Sequence, residues 1–157
     1  MPLIFEETNR GDLHVARNLR WEDAAEVVLA TGKDPETALM HREYLPGART
    51  FTIRAPGSEH PMAIFGAVPF QNHLREHVGQ AWFLATAEIE EHSLSLLKEI
   101  PAYIDELSAP YDAGLMAFMW EGNKMHRRWA EAVGFHVDPD GELWLQGVKF
   151  HRLFRPT

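Results

Sequence analysis

The stretch Gly114–Phe135, with the sequence GLMAFMWEGNKMHRRWAEAVGF, decides the fold that we predict for this chain. Its first part, Leu115–Trp120, is apolar at every position. A strand with one solvated face would alternate instead, so we expect a strand in the middle of a sheet, covered on both faces. Polar residues and a glycine break the run, and Asn123 is predicted to cap the next helix through its side chain.

The helix predicted after this strand has one apolar face and a glycine stop. Its expected core residues follow helical spacing: Met125, Trp129, Ala132 and Val133. Gly134 stands where a left-handed C-cap residue is wanted, and Phe135 can fold back over the helix end. The stretch therefore predicts a strand, a tight polar turn and a short amphipathic helix.

Composition limits the classes of protein that this chain resembles. It has 157 residues, which fits one domain over 1–157, and the absence of cysteine excludes disulfides and thiolate chemistry. Leu115–Trp120 is the longest glycine-free apolar run, far below the ~20 residues of a membrane span. The net charge of −8 predicts no broad nucleic-acid-binding surface. Residues 1–11 lack a signal-peptide pattern and are expected to form an extended leader.

Hydrophobic spacing and turn residues predict the other elements. In chain order these are a strand over 13–19, helices over 21–31 and 35–44, an antiparallel hairpin of strands 50–54 and 62–68, a polar loop over 71–79, a strand over 81–86, an acidic turn over 87–92, a helix marked by Leu97, Ile100, Ile104 and Leu107, the strand and helix above, and strands over 135–137 and 143–154 around a turn at 138–141. Pro101 interrupts the helix marked by Leu97–Leu107, which is expected either to kink there or to begin near it. The strand–helix–strand unit 81–120 predicts a parallel pair in the sheet.

Two motifs resemble the GNAT superfamily of acetyl-CoA-dependent N-acetyltransferases. Asn123 followed by Gly134-Phe135 resembles its late strand–helix unit. The resemblance is closer to GNAT-like proteins of short-tailed lytic bacteriophages, including their small internal virion proteins. The segments that carry it are a Trp-Phe-Leu-x-Thr strand and an Asn-x-x-His-x-Arg-Trp helix start, here Trp82–Thr86 and Asn123–Trp129.

The resemblance covers roughly residues 12–155 and implies a fold class. It is α/β (α+β), with a GNAT-like mixed, mostly antiparallel central sheet of about six to seven strands and about four helices on both faces. The predicted element order, β α α β β β α β α β β, agrees with it. The resemblance further implies acetyl-CoA as the cofactor of any active member.

An acetyl-CoA enzyme needs main-chain donors for the pyrophosphate, a strand edge for the pantetheine arm, and a base. The family's glycine-rich phosphate turn matches residues 87–94 here, AEIEEHSL, which have no glycine and three carboxylates. Carboxylates repel a pyrophosphate. The family's tyrosine acid, seven residues after the motif asparagine, matches Ala130, which cannot donate a proton. Both departures predict a degenerate acetyl-CoA site.

The candidate site residues follow from the resemblance. The catalytic candidates are Glu88, Glu90 and His126, and the cofactor-binding candidates are Trp82, Leu84, Thr86 and Asn123. Each has a structural alternative: Asn123 as a helix cap, the glutamates as a solvated cluster at a helix start, and His126 as a packed ring. His73 and His77 lack a further ligand beyond Glu76, so no metal site is predicted.

Two functional hypotheses remain open. The first is a phage virion-associated or host-interacting protein, located in the virion or the host cytoplasm, with phage structural or host proteins as partners. The missing phosphate turn and Ala130 favour it. The second is an active N-acetyltransferase that uses acetyl-CoA on a protein amine or a small-molecule amine. The Trp82–Thr86 strand and the Asn123 helix favour that one.

Overall fold

A computed structural model describes residues 2–8, 12–43, 46–71 and 77–157. The described elements, in chain order, are β1 (Ile4–Thr8), α1 (Leu13–Arg17), α2 (Trp21–Thr31), α3 (Pro35–Glu43), β2 (Arg49–Arg54), β3 (Ala63–Gln71), β4 (His77–Ala85), a 3₁₀ helix (Ala87–His92), α4 (Ser93–Ser108), β5 (Leu115–Trp120), α5 (Lys124–Ala132), β6 (His136–Leu145) and β7 (Val148–Arg155).

The strands form one mixed sheet in the order β1-β2-β3-β4-β5-β7-β6. Neighbouring strands are antiparallel except β4 and β5, which are parallel, as the strand–helix–strand unit predicted. The predicted hairpin is also confirmed, since β2 pairs with β3. The α/β (α+β) fold class is therefore confirmed, with seven strands and five α-helices among the described residues.

The two faces of the sheet bury separate clusters of apolar side chains. Alternation along β4 divides them: Phe83 and Ala85 pack with α4 and α5, whereas Trp82 and Leu84 pack with α1, α2 and α3. β5 lies between β4 and β7, as expected for a strand covered on both faces. The sheet is consequently a middle layer, and the functional candidates in β4 and α5 lie near its centre.

The prediction of a first strand over 13–19 was wrong. Residues Leu13–Arg17 form α1, because Asp12 caps it by accepting the N–H of Val15 at 2.9 Å. Leu19 alone of this stretch is extended, and it forms an isolated bridge with Thr86. The edge strand of the sheet comes instead from the stretch expected as a leader, since β1 pairs with β2.

The predicted helix α5 exists, but its N-terminus and its buried face differ from the prediction. Asn123 occupies the N-cap position without a side-chain capping bond. His126 and Ala130 are the buried residues of the helix, whereas Ala132 is exposed. The predicted stop is confirmed: Gly134 has φ +104°. Phe135 donates its N–H to the Ala130 carbonyl at 2.9 Å.

The last strand of the prediction is in fact two strands. The turn predicted at 138–141 lies inside β6, as a register shift between Val137 and Glu142. β6 and β7 are joined by Gln146 and Gly147, with φ angles of +49° and +79°. Positive φ at both central residues is the geometry that two-residue hairpins prefer.

The helix around Pro101 and the loop after β3 differ in extent from the prediction. α4 runs from Ser93 to Ser108 with Pro101 inside it, so the helix does not begin at this proline. The strands extend into the loop predicted over 71–79, because β3 reaches Gln71 and β4 begins at His77. Tyr44, His73 and Glu76 lie outside the described residues. Within the described part of the chain, no helix is long and apolar enough to cross a membrane.

Candidate functional site

The candidate site is a gap in the sheet between β4 and β5. The two strands pair only at Gly79–Leu115 and Gln80–Met116 and then part. A cavity of about 80 Å³ lies beside the gap on the α4–α5 face. A second, of about 310 Å³, lies on the face of α2 and α3. The walls of both cavities include the same six residues: Ala81, Trp82, Phe83, Ala117, Met119 and His126.

The far end of the gap is closed by the chain just before α2. Thr86 donates its main-chain N–H to the carbonyl of Met62, which directly precedes β3. Because main-chain groups of successive strand residues point in opposite directions, the N–H and C=O of Ala85 point into the gap. The Ala85 carbonyl accepts the N–H of Arg20 at 2.9 Å, and its N–H donates to Asp23 Oδ2 at 2.8 Å. Both main-chain polar groups of Ala85, its N–H and its C=O, are thus already bonded.

The side chain of Arg20 ties this closure to α2 and to the 3₁₀ helix. Its guanidinium donates to Glu22 at 2.6 Å, to Asp23 at 2.9 Å and to Glu90 of the 3₁₀ helix at 2.9 Å. Arg20 is 4% exposed and Asp23 is fully buried. A buried guanidinium is tolerated because each carboxylate compensates part of its lost hydration. One cation therefore lies among three carboxylates.

The edge of β5 is capped in the same way. Glu26, one helical turn after Asp23, accepts the main-chain N–H of Trp120 at 2.9 Å. The Asn123 amide joins the two acids, since its Nδ2 donates to Asp23 at 3.0 Å and to Glu26 at 3.3 Å. Asp23 and Glu26 of α2 thus satisfy strand groups that the parting of β4 and β5 leaves without strand partners.

Asp23 and His126 form a buried pair beside the gap. His126 Nε2 lies 3.3 Å from Asp23 Oδ2. Burial raises the pKa of Asp23 to about 7, against hydrogen bonds from Asn123 and Ala85 and the charge of Arg20, which lower it. Burial first, and the charge of Arg20 second, lower the pKa of His126 to about 3. His126 is therefore a neutral imidazole at pH 7.

Comparison with solved structures identifies the architecture. An IAA acetyltransferase from Bacillus cereus ATCC 14579 matches with a TM-score of 0.62 and 10% identity over 99% of both chains. An acetyltransferase of the GNAT family from Streptococcus pneumoniae matches with a TM-score of 0.61 and 13% identity over 98% of both chains. The chain has the GNAT fold. A chain of the NatC complex bound to Gag peptide and CoA also matches, with a TM-score of 0.64 and 14% identity over 100% of this chain and 99% of that chain.

Comparison of the sequence itself with protein families and with curated proteins gives no match. No protein-family model matches the sequence, and no curated protein matches it. At 10–14% identity, the likeness to solved structures shows the fold alone. What the gap does must therefore be argued from its own residues.

The cofactor-binding candidates lie along the gap of this GNAT fold, in different environments. Trp82 and Leu84 pack against α1–α3 and line the 310 Å³ cavity. Thr86 is 6% exposed, and its hydroxyl has no hydrogen-bond partner among the described residues. Asn123 is fully buried in the polar cluster. Its bonds there replace the predicted side-chain helix cap, and the assignment of Asn123 to the cofactor arm stays a prediction.

Two of the three catalytic candidates, Glu90 and His126, border the same Arg20–Asp23 pair. Glu90 is bonded to Arg20, whereas Glu88 lies exposed on the 3₁₀ helix. His126 is buried beside Asp23, and its ring meets Phe83 edge-on at 5.0 Å. Among the described residues, no three His, Asp or Glu side chains are grouped to hold a metal.

Three residues of the cluster, Arg20, Asp23 and Glu26, were missed by the sequence reasoning. Near a helix start, Glu22, Asp23 and Glu26 fit the ordinary role of acids that the helix dipole favours, so their type and position indicate no other role. The signal was present in the spacing: Asp23 and Glu26 stand on the same face as Val27, which is buried. Acids on the buried face of a helix require partners in the core.

Proposed function

We propose that this chain is a GNAT-fold protein with a degenerate acetyl-CoA site that acts by binding a protein partner. The observation that carries the proposal is the occupied edge of β4 at Ala85. Pantetheine needs free main-chain groups on a strand edge, whereas Arg20 and Asp23 already bond both groups here. A cofactor arm would have to displace these bonds and expose buried charges.

The phosphate end of the site supports the same proposal. Residues Ala87–His92 form a 3₁₀ helix with Glu88, Glu90 and Glu91, all of them exposed. These carboxylates would repel a pyrophosphate at this position. Arg20, which reaches the 3₁₀ helix, is held by three acids and its side chain is 2% exposed. It offers no accessible charge to a phosphate.

The setting that we propose is a bacteriophage, with the protein in the virion or the host cytoplasm. Its partners would be phage structural proteins or host proteins. This part of the proposal rests on the resemblance of Trp82–Thr86 and of Asn123–Trp129 to phage GNAT-like proteins. Under it, the fold supplies a rigid scaffold and its outer surface supplies the function.

A turnover assay tests the proposal. The purified protein is incubated with acetyl-CoA and a panel of amines, including a lysine-containing peptide and a polyamine, and CoA release is followed with a thiol reagent. We expect release at the rate of the buffer control. Release above that rate that disappears in His126→Ala, while the variant stays folded, would contradict the proposal.

An active N-acetyltransferase is the second candidate, and the larger cavity favours it. At about 310 Å³ it has the size of a small-molecule site, and Glu26 and the neutral His126 stand on its wall. His126 is unprotonated at pH 7 and so free to accept a proton, but a pKa of about 3 makes it a weak base for an amine. Under this alternative, acetyl-CoA acetylates a protein amine or a small-molecule amine at the gap.

A further inference from the structure

Two tryptophans lie together where α2 begins and β5 ends. Trp21 is 69% exposed, and its ring meets Trp120 edge-on with centroids 6.0 Å apart. The Trp120 ring packs against Gly122, where an added Cβ would lie 2.4 Å from it. Trp120 is thereby fixed, and the Trp21 ring beside it projects into solvent. The pair therefore offers an indole face that a ligand from solvent can reach.

Carboxylates border this aromatic pair. Glu22 follows Trp21 in the chain, Glu121 follows Trp120, and Glu90 reaches the same place by its bond to Arg20. Their side chains are 23%, 53% and 43% exposed, respectively. Arg20 is buried beneath them. We call Trp21, Trp120, Glu22, Glu90 and Glu121 the aromatic–acidic patch.

We propose that the aromatic–acidic patch binds a segment rich in arginine and lysine on a partner protein. This inference rests on the proposed function and names the chemistry of the partner. A guanidinium can stack on the face of an exposed indole and pair with carboxylates at the same time. Arginine and tryptophan are also the residues that most often dominate protein interfaces.

The charge of the patch decides against other occupants. A nucleic acid or a phosphorylated segment would meet three carboxylates, with the nearby guanidinium of Arg20 already bonded to two of them. An apolar segment would bury the half-exposed carboxylate of Glu121, which Arg20 does not pair, and burying such a charge is costly. A basic segment satisfies both the acids and the ring, and the protein's net charge of −8 attracts it from a distance.

The chain offers a matched control in Trp144. It is 66% exposed, nearly as much as Trp21, and it lies on β6. Its partner in the register of β6 and β7 is Lys149, a base. Lys149 is in turn paired with Glu142 at 3.0 Å. Trp144 therefore presents an equally exposed indole beside a balanced pair of charges, where we expect no net attraction for a basic segment.

Fluorescence anisotropy with a labelled peptide tests the inference. The probe is a fluorescein-labelled heptapeptide of alternating arginine and lysine between terminal glycines. The control peptide has glutamine at each basic position. We expect the basic probe to bind wild type, and Trp21→Ala to weaken it roughly tenfold through the lost cation–π contact. Glu121→Gln should weaken it less, and Trp144→Ala should leave it unchanged.

Three results would overturn the inference: no binding of the basic probe, equal binding of the glutamine peptide, or equal losses in Trp21→Ala and Trp144→Ala. Both tryptophans are exposed, so neither variant should unfold the protein. The turnover assay separates this inference from the proposed function. Turnover together with a selective Trp21→Ala effect would reject the scaffold function and keep the patch. No turnover together with no probe binding would keep the scaffold function and reject the patch.

Discussion

Asp23 accepts the main-chain N–H of Ala85 at 2.8 Å, so an acid from α2 occupies the strand edge where the GNAT fold opens its sheet. The neighbouring carbonyl of Ala85 is taken by the N–H of Arg20. The bond to the Asp23 carboxylate contributes about 1.5–3 kcal/mol when that group is charged, and the main-chain bond from Arg20 about 0.5–1.5 kcal/mol. The closure is therefore strong enough to compete with a ligand for the same groups.

Removing the Asp23 carboxylate should destabilise the protein strongly. Asp23→Ala removes one carboxylate partner of the buried Arg20 guanidinium. It also removes the carboxylate that accepts the N–H of Ala85. Breaking a buried ion pair on one side costs about 3–5 kcal/mol, so we expect the free energy of unfolding to fall by that amount. Urea denaturation followed by circular dichroism measures it. Glu88→Ala, at an exposed position, is the control and should stay within about 0.5 kcal/mol of wild type. Equal stabilities of the two variants would refute the closure.

Asn123 should behave as a bridge between two acids and not as a helix cap. Serine caps helices well, so Asn123→Ser would be nearly neutral if capping were the role. Because the Asn123 amide donates to Asp23 and Glu26, we expect the serine variant to lose about 1–3 kcal/mol. Asp34→Ser is the matched control, since Asp34 does cap its helix, accepting from Thr37 N at 2.9 Å. Chemical denaturation of both variants decides between the roles, and a neutral Asn123→Ser would restore the capping interpretation.

The pH dependence of stability should separate Asp23 from His126. The folded pKa of Asp23 is raised from 3.8 to about 7, so its contribution to stability is fully present below pH 3.8 and is lost as pH rises through about 7. The folded pKa of His126 is lowered from 6.5 to about 3, so its contribution is fully present above pH 6.5 and is lost as pH falls through about 3. In wild type the two trends oppose each other between these limits.

Single substitutions should expose the two opposing trends. In Asp23→Asn only His126 titrates, so between about pH 4 and pH 6.5 stability should rise with pH relative to wild type. In His126→Gln only Asp23 titrates, and over the same range stability should fall with pH relative to wild type. Urea unfolding at several pH values measures both slopes. Slopes of the same sign would show that the two groups do not titrate as described.

Gly79 should be required where β4 and β5 join. It pairs with Leu115 at the start of the parallel contact. An added Cβ would lie 2.6 Å from the Tyr111 ring and 2.8 Å from the Leu115 side chain. We expect Gly79→Ala to lower the free energy of unfolding by about 1–3 kcal/mol, as overpacking does. Thermal unfolding measures the effect, and an unchanged midpoint would mean that the join adapts to the extra methyl group.

Much of the fold follows from local patterns in the sequence. The apolar run Leu115–Trp120 predicted the covered strand, and Gly134 predicted the end of α5, because both signals lie within a few residues. The strand predicted over 13–19 was wrong for two reasons. A short apolar run does not distinguish a strand from a helix by its periodicity, and Asp12 was not recognised as a helix cap. The Gln146-Gly147 hairpin was missed for a related reason, since the final apolar stretch was interpreted as one strand.

The polar cluster could not be predicted in the same way. Asp23 and Asn123 are 100 residues apart in the chain, and only the tertiary fold brings their side chains to 3.0 Å. Sequence spacing assigned Asn123 to a cap and the acids to a helix dipole, each of which is a local role. The acidic composition of residues 87–94 and their lack of glycine, by contrast, were visible in the sequence.

Calorimetric titration with acetyl-CoA, with plain CoA as a second run, tests the closed strand edge most directly. We predict no heat of binding for either ligand at millimolar concentration, because Arg20 and Asp23 hold the edge of β4 and the acidic 3₁₀ helix repels the phosphates. Binding at micromolar strength, about −8 kcal/mol, would contradict the account and support the acetyltransferase alternative.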